Sequence, residues 1–387
     1  MVEPLRRALD ADRVRRGRDP RPPVRQAGGG LSVVRPHRPD VQPEGASRPP
    51  FPGHGRLRPL RSQGPGGDDD AGLCPEQPPG PAEVRGPGGH GLPGESAGLK
   101  NEILDILWLG QPACHDISRV GGKVANLSRL AADHRIPPGF CLTTGALDRV
   151  EAEGTLAFPA ELRDQLARAY RDLAERCGAD EPGVAVRSSA VDEDGRAASF
   201  AGQYETYLNI VGVEAVGRCW QSLRSPRALE YRRRYGLPLD RLRLAVLVQR
   251  LVASDVSAVV FSANPVTRSR DEVVINASWG LGESVVGGTV TPDTCIVRKA
   301  DLTVLSHQIA EKRRMTVSIP GGTREVDVPR FLRAQPALDD GQIVEMARLA
   351  MALEAKLGWP VDVECAYHAG CLYLLQCRPI TTLVEPE

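Results

Sequence analysis

The stretch VDVECAYHAGCLYLLQCRP, residues 361–379, carries two strand patterns on either side of a short Ala-Gly turn. Side chains alternate faces along a strand. Asp362 and Glu364 therefore share one face of the first strand, and Gln376 and Arg378 share one face of the second. A turn centred near Gly370 sets Glu364 opposite Gln376 and Asp362 opposite Arg378. The opposite face is then Val361, Val363, Leu375 and Cys377. Two acids and an amide oxygen in one patch suit Mg²⁺, which takes oxygen ligands and leaves room for substrate phosphates. The same pattern also fits a solvated strand face closed by an Asp–Arg pair.

Upstream, helical and strand patterns mix. KVANLSRLAAD (123–133) puts Val124, Leu127, Leu130 and Ala131 on one helical face, with Gly121-Gly122 opening it. Leu162, Leu166, Tyr170 and Leu173 mark a second amphipathic helix. Two short helices are expected around 213–224 and 226–235, and a long one over 342–357. FCLTT, VAVRSS, YETYLNIV, LAVLVQRLV, SAVVFSA and EVVINAS read as strands, and Thr143 or Thr144 can cap the helix after the first of them. The mixed order predicts an α+β or mixed α/β class.

Several of these segments suit phosphate. Lys123 stands at a helix start, where free N–H groups and the helix dipole favour an anion. It is one of only five lysines in the chain. Arg187 ends VAVRSS, where a guanidinium can reach into a crevice. SFAGQYETY (199–207) offers small residues and hydroxyls, and backbone N–H groups in such a loop can approach phosphate oxygens. ASWGLGESVVGG carries glycines at 280, 282, 287 and 288, the composition of a tight loop with or without a ligand. Together they point to a nucleoside triphosphate, although each alone also fits an ordinary turn or a solvent-facing cation. In the globular part neither GxxxxGK[ST] nor GxGxxG occurs, so neither common nucleotide fold is indicated.

Composition sets the outer limits. Residues 1–98 hold 18 of the 33 prolines and 18 of the 40 glycines, with fifteen arginines and no lysine. Such a segment cannot bury enough apolar surface to offset its ordering entropy, so 1–98 is expected to be a disordered extension. The chain of 387 residues is electrically neutral, 49 basic against 49 acidic. That argues against a nucleic-acid surface as the main purpose. Nine cysteines without a CxxC pair argue against a metal finger or disulfide framework. No apolar run approaches membrane-spanning length and no secretory signal is visible, so a cytoplasmic location is expected.

In order, VGGKVANLSRL, IPPGFCLTTGAL, VAVRSSAVDEDGRAASFAGQYETYLNIVG, VLVQRLVASDVSAVVFSANPVT, ASWGLGESVVGGTVTPDTCIV and DVECAYHAGCLYLLQCRPIT resemble the ATP-binding domain of the phosphoenolpyruvate synthase and pyruvate phosphate dikinase family, which includes the rifamycin phosphotransferases. The resemblance covers about residues 101–384. It implies an ATP-grasp fold, with a first lobe and lid loop over 100–254 and a second lobe with the metal hairpin over 255–384. It implies that Lys123 and Arg187 contact phosphates, and that Gly202 and Thr206 belong to the lid. Gln249 would lie near the adenine. Glu364 and Gln376 would bind Mg²⁺, Arg378 would hold the transferring phosphates, and Asp362 matches the acid two positions earlier. Cys365 departs from the family, which usually has tryptophan there.

The family passes phosphoryl groups from ATP to a histidine on a separate swivelling domain. No such domain is recognisable in this sequence, so a second histidine-bearing protein is the expected partner. The twelve-residue step from Glu364 to Gln376 and the RPITTL ending resemble the antibiotic phosphotransferases. An ATP-binding module without transfer is the other reading. Deleting residues 1–98 is expected to leave soluble, folded, ATP-binding protein, measured by circular dichroism and calorimetry. Loss of folded protein would show that the extension contributes to the core.

Overall fold

The computed structural model describes residues 105–152, 158–191, 206–221, 225–234, 243–380 and 383, which all fall within one compact unit. The 1–98 extension and the 199–205 part of the small-residue loop, including Gly202, lie outside the described residues.

Two antiparallel sheets organise the molecule. The first is built from β1 (Ile106–Trp108), β2 (Gly139–Leu142), β3 (Val184–Ala190), β4 (Thr206–Ile210) and β5 (Leu244–Arg250), in the order β1-β2-β5-β3-β4. Between these strands run α1 (Ile117–Leu130), α2 (Thr144–Ala152), α3 (Ala160–Cys177), α4 (Glu214–Gln221) and α5 (Pro226–Arg234). Strand alternation sorts β5 cleanly. Val246 and Val248 enter a core with Phe140, Leu142, Val184 and Val186, closed by Leu162, Leu166 and Leu173 of α3. Ala245 and Leu247 belong to the other core cluster, with Val120, Val124, Leu127 and Leu130 of α1. The sheet therefore has apolar helices on both faces. Thr143 caps α2, its hydroxyl accepting from Ala146 N at 3.4 Å. Gly178, left-handed at φ 61°, ends α3.

The second sheet follows in sequence. It contains β6 (Val256–Phe261), β7 (Glu272–Trp279), β8 (Asp293–Arg298) and β9 (Val304–Gln308), then β12 (Val361–His368) and β13 (Cys371–Pro379), ordered β13-β12-β6-β7-β8-β9. Between β7 and β8 lies the single turn α6 (Glu283–Val286); β10 (Arg314–Ile319) and β11 (Gly322–Asp327) form a separate hairpin. α7 (Asp340–Leu357) covers one face of the sheet with Ile343, Met346, Ala347, Ala350 and Leu353. Burying Ile343, Met346 and Leu353 contributes about 1.5–3 kcal/mol each. A capping box between Asp339 and Gln342 starts α7 two residues before the expected 342, and Gly358 stops it. The β10–β11 hairpin reaches the first sheet, where Asn209 Nδ2 donates to Gly322 O at 2.9 Å.

The final hairpin corrects the sequence reading in one respect. Its turn is the two-residue pair Ala369 (φ 51°) and Gly370 (φ 77°), between His368 and Cys371. Continued without interruption, that turn would set Glu364 opposite Leu375. A bulge at Leu375 shifts the register, so Glu364 faces Gln376 and Asp362 faces Arg378. The expected pairs form, but through a bulge that the alternation pattern did not contain. Leu375 consequently leaves the core face, where Leu374 takes its place beside Val361, Val363 and Cys377.

Candidate functional site

The open face of the second sheet carries a polar row. Cross-strand partners point to the same side of a sheet. The register aligns Gln376, Glu364, Val259, Asn276 and Thr294 across β13, β12, β6, β7 and β8. One pleat along, Arg378 meets Asp362 with Nε and Nη2 at 2.8 and 2.7 Å from the same oxygen. Burial pushes the Asp362 carboxyl above its usual range. The Arg378 guanidinium opposes that rise and the neighbouring Glu364 adds to it.

Glu364 is held from two directions. Its Oε1 accepts from Gln376 Nε2 at 3.1 Å, and its Oε2 lies 3.4 Å from Arg187 Nη1. Arg187 belongs to β3 of the first sheet, so this ion pair bridges the two sheets. The Arg187 Nε is buried and has no hydrogen-bond partner among the described residues. A half-buried arginine with a buried, spare N–H is suited to an anionic ligand.

The bridge stands beside a cavity of about 250 Å³. Ala185 and Arg187 of β3, Thr206 and Leu208 of β4, and Gln249 at the end of β5 line it from the first sheet. Val259, Glu364, Leu375 and Gln376 line it from the second, and Leu281, Gly282, Glu283, Val286 and Gly287 complete the wall. Five expected site residues, Arg187, Thr206, Gln249, Glu364 and Gln376, thus share one cavity. Gln249 is buried and its Nε2 donates to Pro137 O at 3.1 Å, which fixes the amide. A second cavity of about 270 Å³ adjoins through Val259, Val286 and Glu364, and adds Asp362, Arg378, Asn276 and Pro292.

Lys123 lines neither cavity. The chain does break where the glycines predicted, with Gly121 at φ 72° inside α1. A Cβ there would meet Ser189 O at 2.3 Å, so only glycine permits this close approach. The following turn is locked to β3, because Val124 N donates to Ser189 Oγ at 3.3 Å. Lys123 is thus next to the residue tied to Ser189, near the end of β3. Arg187 itself is the fourth of that strand's seven residues, so the strand runs on past it and does not end there as its sequence suggested.

Two features escaped the sequence reading. The 281–287 segment was legible as a tight loop but not as a wall of the cavity. Asn276 carries a fainter signal, a polar side chain inside the apolar strand EVVINAS, where asparagine is disfavoured. Among the described residues seven cysteines are free thiols, six of them buried. Burial pushes Cys114 up to about 11 and Cys295 up to about 12, so these thiols stay protonated and poorly nucleophilic.

The family model for the pyruvate phosphate dikinase AMP/ATP-binding domain matches residues 151–387. A probable phosphoenolpyruvate synthase of Methanocaldococcus jannaschii is 40% identical over 317 residues, covering 72% of this chain and 27% of that protein. The phosphoenolpyruvate synthase of Pyrococcus furiosus is 36% identical over 359 residues, covering 72% of this chain and 44% of its own. A rifampicin phosphotransferase of Streptomyces sviceus is 38% identical over 317 residues, covering 73% of this chain and 36% of that protein. The chain therefore spans between about a quarter and less than half of the length of these relatives. With the family model covering well over half its length, the chain belongs to the pyruvate phosphate dikinase AMP/ATP-binding domain family.

Proposed function

We propose that the chain is the ATP-binding part of a phosphotransferase, holding ATP between two ATP-grasp lobes and passing phosphoryl groups to a histidine on a separate domain or protein in the cytoplasm. The boundary between the lobes falls near residue 254, where the strands of the first sheet end and those of the second begin. The observation that carries this reading is the convergence of Arg187 with Glu364 and Gln376 across the two sheets. The apolar walls of the first cavity, Ala185, Leu208, Leu251 and Leu281, suit a base and sugar, while its charged end suits phosphates.

The donor set also fits Mg²⁺. Glu364 and Gln376 supply hard oxygen donors, with Asp362 one pleat away. No group of three His, Cys, Asp or Glu residues suited to a metal occurs among the described residues. A cation here would fill its shell with water and phosphate oxygens, as Mg²⁺ does. When bound, it would neutralise charge building on the transferring phosphoryl group. Arg187 and Arg378 hold the phosphates by planar, bidentate donors. Lys123 adds its charge from the turn of α1 just after the Gly121 break, and Gly202 and Thr206 belong to the covering loop. Gln249 lies against the base. Among the described residues no helix is long and apolar enough to cross a membrane.

MgATP should stabilise the full chain against thermal unfolding. A ligand at 100 times its Kd adds about 2.7 kcal/mol to the native state. For a folded part of about 280 residues that is a rise of roughly 4–5 °C. A folded protein whose melting point is unmoved by millimolar MgATP would overturn the assignment. Stabilisation by MgATP without labelling of a supplied histidine domain would favour a nucleotide-binding module that does not transfer.

A further inference from the structure

Asn276 stands in the polar row between Thr294 and Val259, and on the wall of the second cavity. Its Oδ1 accepts from Thr294 Oγ1 at 2.9 Å. In this arrangement the hydroxyl donates and the amide oxygen is the atom it occupies. With Oδ1 turned toward β8, the Nδ2 branch turns away from it, toward β6 and β12. There it makes no hydrogen bond to the described residues. Val259 separates Asn276 from Glu364 by two strand spacings, roughly 10 Å between backbones. The gap is floored by a small apolar side chain and bounded at its other edge by the Arg378–Asp362 pair. A phosphoryl group fits this width together with its coordinating oxygens.

We infer that Asn276 is a phosphate-positioning residue, its Nδ2 donating to the part of the nucleotide's phosphate chain that extends past the first phosphate into the second cavity. The inference rests on the nucleotide reading of the first cavity and adds a division of labour. The first cavity takes the nucleoside and its first phosphate. The second takes what distinguishes a triphosphate from a monophosphate, between an amide donor on β7 and the arginine on β13. Thr294 acts through Asn276, by holding the amide with its donor outward.

The test compares MgATP and AMP binding to the full chain by calorimetry. Asn276→Asp replaces the donor with an anionic acceptor. It should weaken MgATP by at least about tenfold, the loss expected for a hydrogen bond to a charged group. AMP affinity should stay within about twofold. Thr294→Val frees the amide to rotate and should give the same ATP-only loss at about threefold. The unliganded melting point of each variant reports folding. Equal weakening of AMP and MgATP, or unchanged MgATP binding by folded Asn276→Asp protein, overturns the inference while leaving the nucleotide site intact. A wild-type chain that binds neither nucleotide removes the function and this inference with it.

Discussion

Glu364→Ala is expected to lower phosphoryl transfer to a supplied histidine domain by at least about 10²-fold, the loss typical of removing one preorganised electrostatic group. The side chain has two roles, and the substitution removes both. It is the charged oxygen donor of the Glu364–Gln376 pair, and it is the partner of Arg187 across the sheets. Without it, Arg187 keeps its charge on the wall of the first cavity, where the proposed phosphates would lie. Binding of metal-free ATP should therefore survive, while the gain in affinity on adding Mg²⁺ should disappear. Gln376→Ala removes a neutral donor and should cost less. Arg378→Ala should abolish transfer, and Arg378→Lys should restore little, because lysine lacks the planar fork that holds two oxygens at once. Labelled-phosphate transfer, with circular dichroism as the folding control, reads all four. Near-normal transfer by folded Glu364→Ala protein would remove both the metal assignment and the hairpin's place at its centre.

The hairpin was legible because its information is local. A period of two, a turn and four polar residues within 361–379 were enough to pair Glu364 with Gln376 and Asp362 with Arg378. Even so, the pairing depends on a bulge at Leu375, and nothing in CLYLLQCRP signals which leucine drops out of the ladder. The amphipathic helices were legible for the same local reason, since their apolar spacing lies within each segment. Arg187 opposite Glu364 was not legible from pattern, because 177 residues separate them and only the stacking of two sheets joins them. The short strands β1, β8 and β9 and the β10–β11 hairpin also passed unread. Segments such as DTCIVR, VLSHQ and RMTVSI alternate weakly, and the sheet supplies the order their own pattern lacks. The Asn276–Thr294 pair depends on β8, so it could not be found before that strand was.

The largest stability effect should come from a lysine outside both cavities. Lys312 is fully buried, its Nζ 2.5 Å from Asp293 Oδ1 and 3.1 Å from Ala310 O. Asp293 opens β8 and is equally sealed. Its two oxygens also accept from Ala310 N at 2.8 Å and Ala337 N at 2.7 Å. One carboxylate therefore gathers the 310–312 segment and the approach to α7 around the first residue of β8. It follows directly on Pro292, a wall of the second cavity. Lys312→Met keeps the volume and removes the cation, leaving a buried carboxylate without its counter-charge. Breaking a buried pair from one side costs about 3–5 kcal/mol. Against a total stability of about 5–15 kcal/mol, that is a large share. Removing both charges with Lys312→Met and Asp293→Asn together should recover part of the loss, because no ion is then left in the interior while the asparagine keeps one oxygen for the two backbone donors. Urea unfolding of the two single variants and the double variant measures the coupling. A Lys312→Met protein within about 1 kcal/mol of the parent would mean that water or rearrangement relieves the carboxylate, and that Asp293 is held by its backbone donors alone.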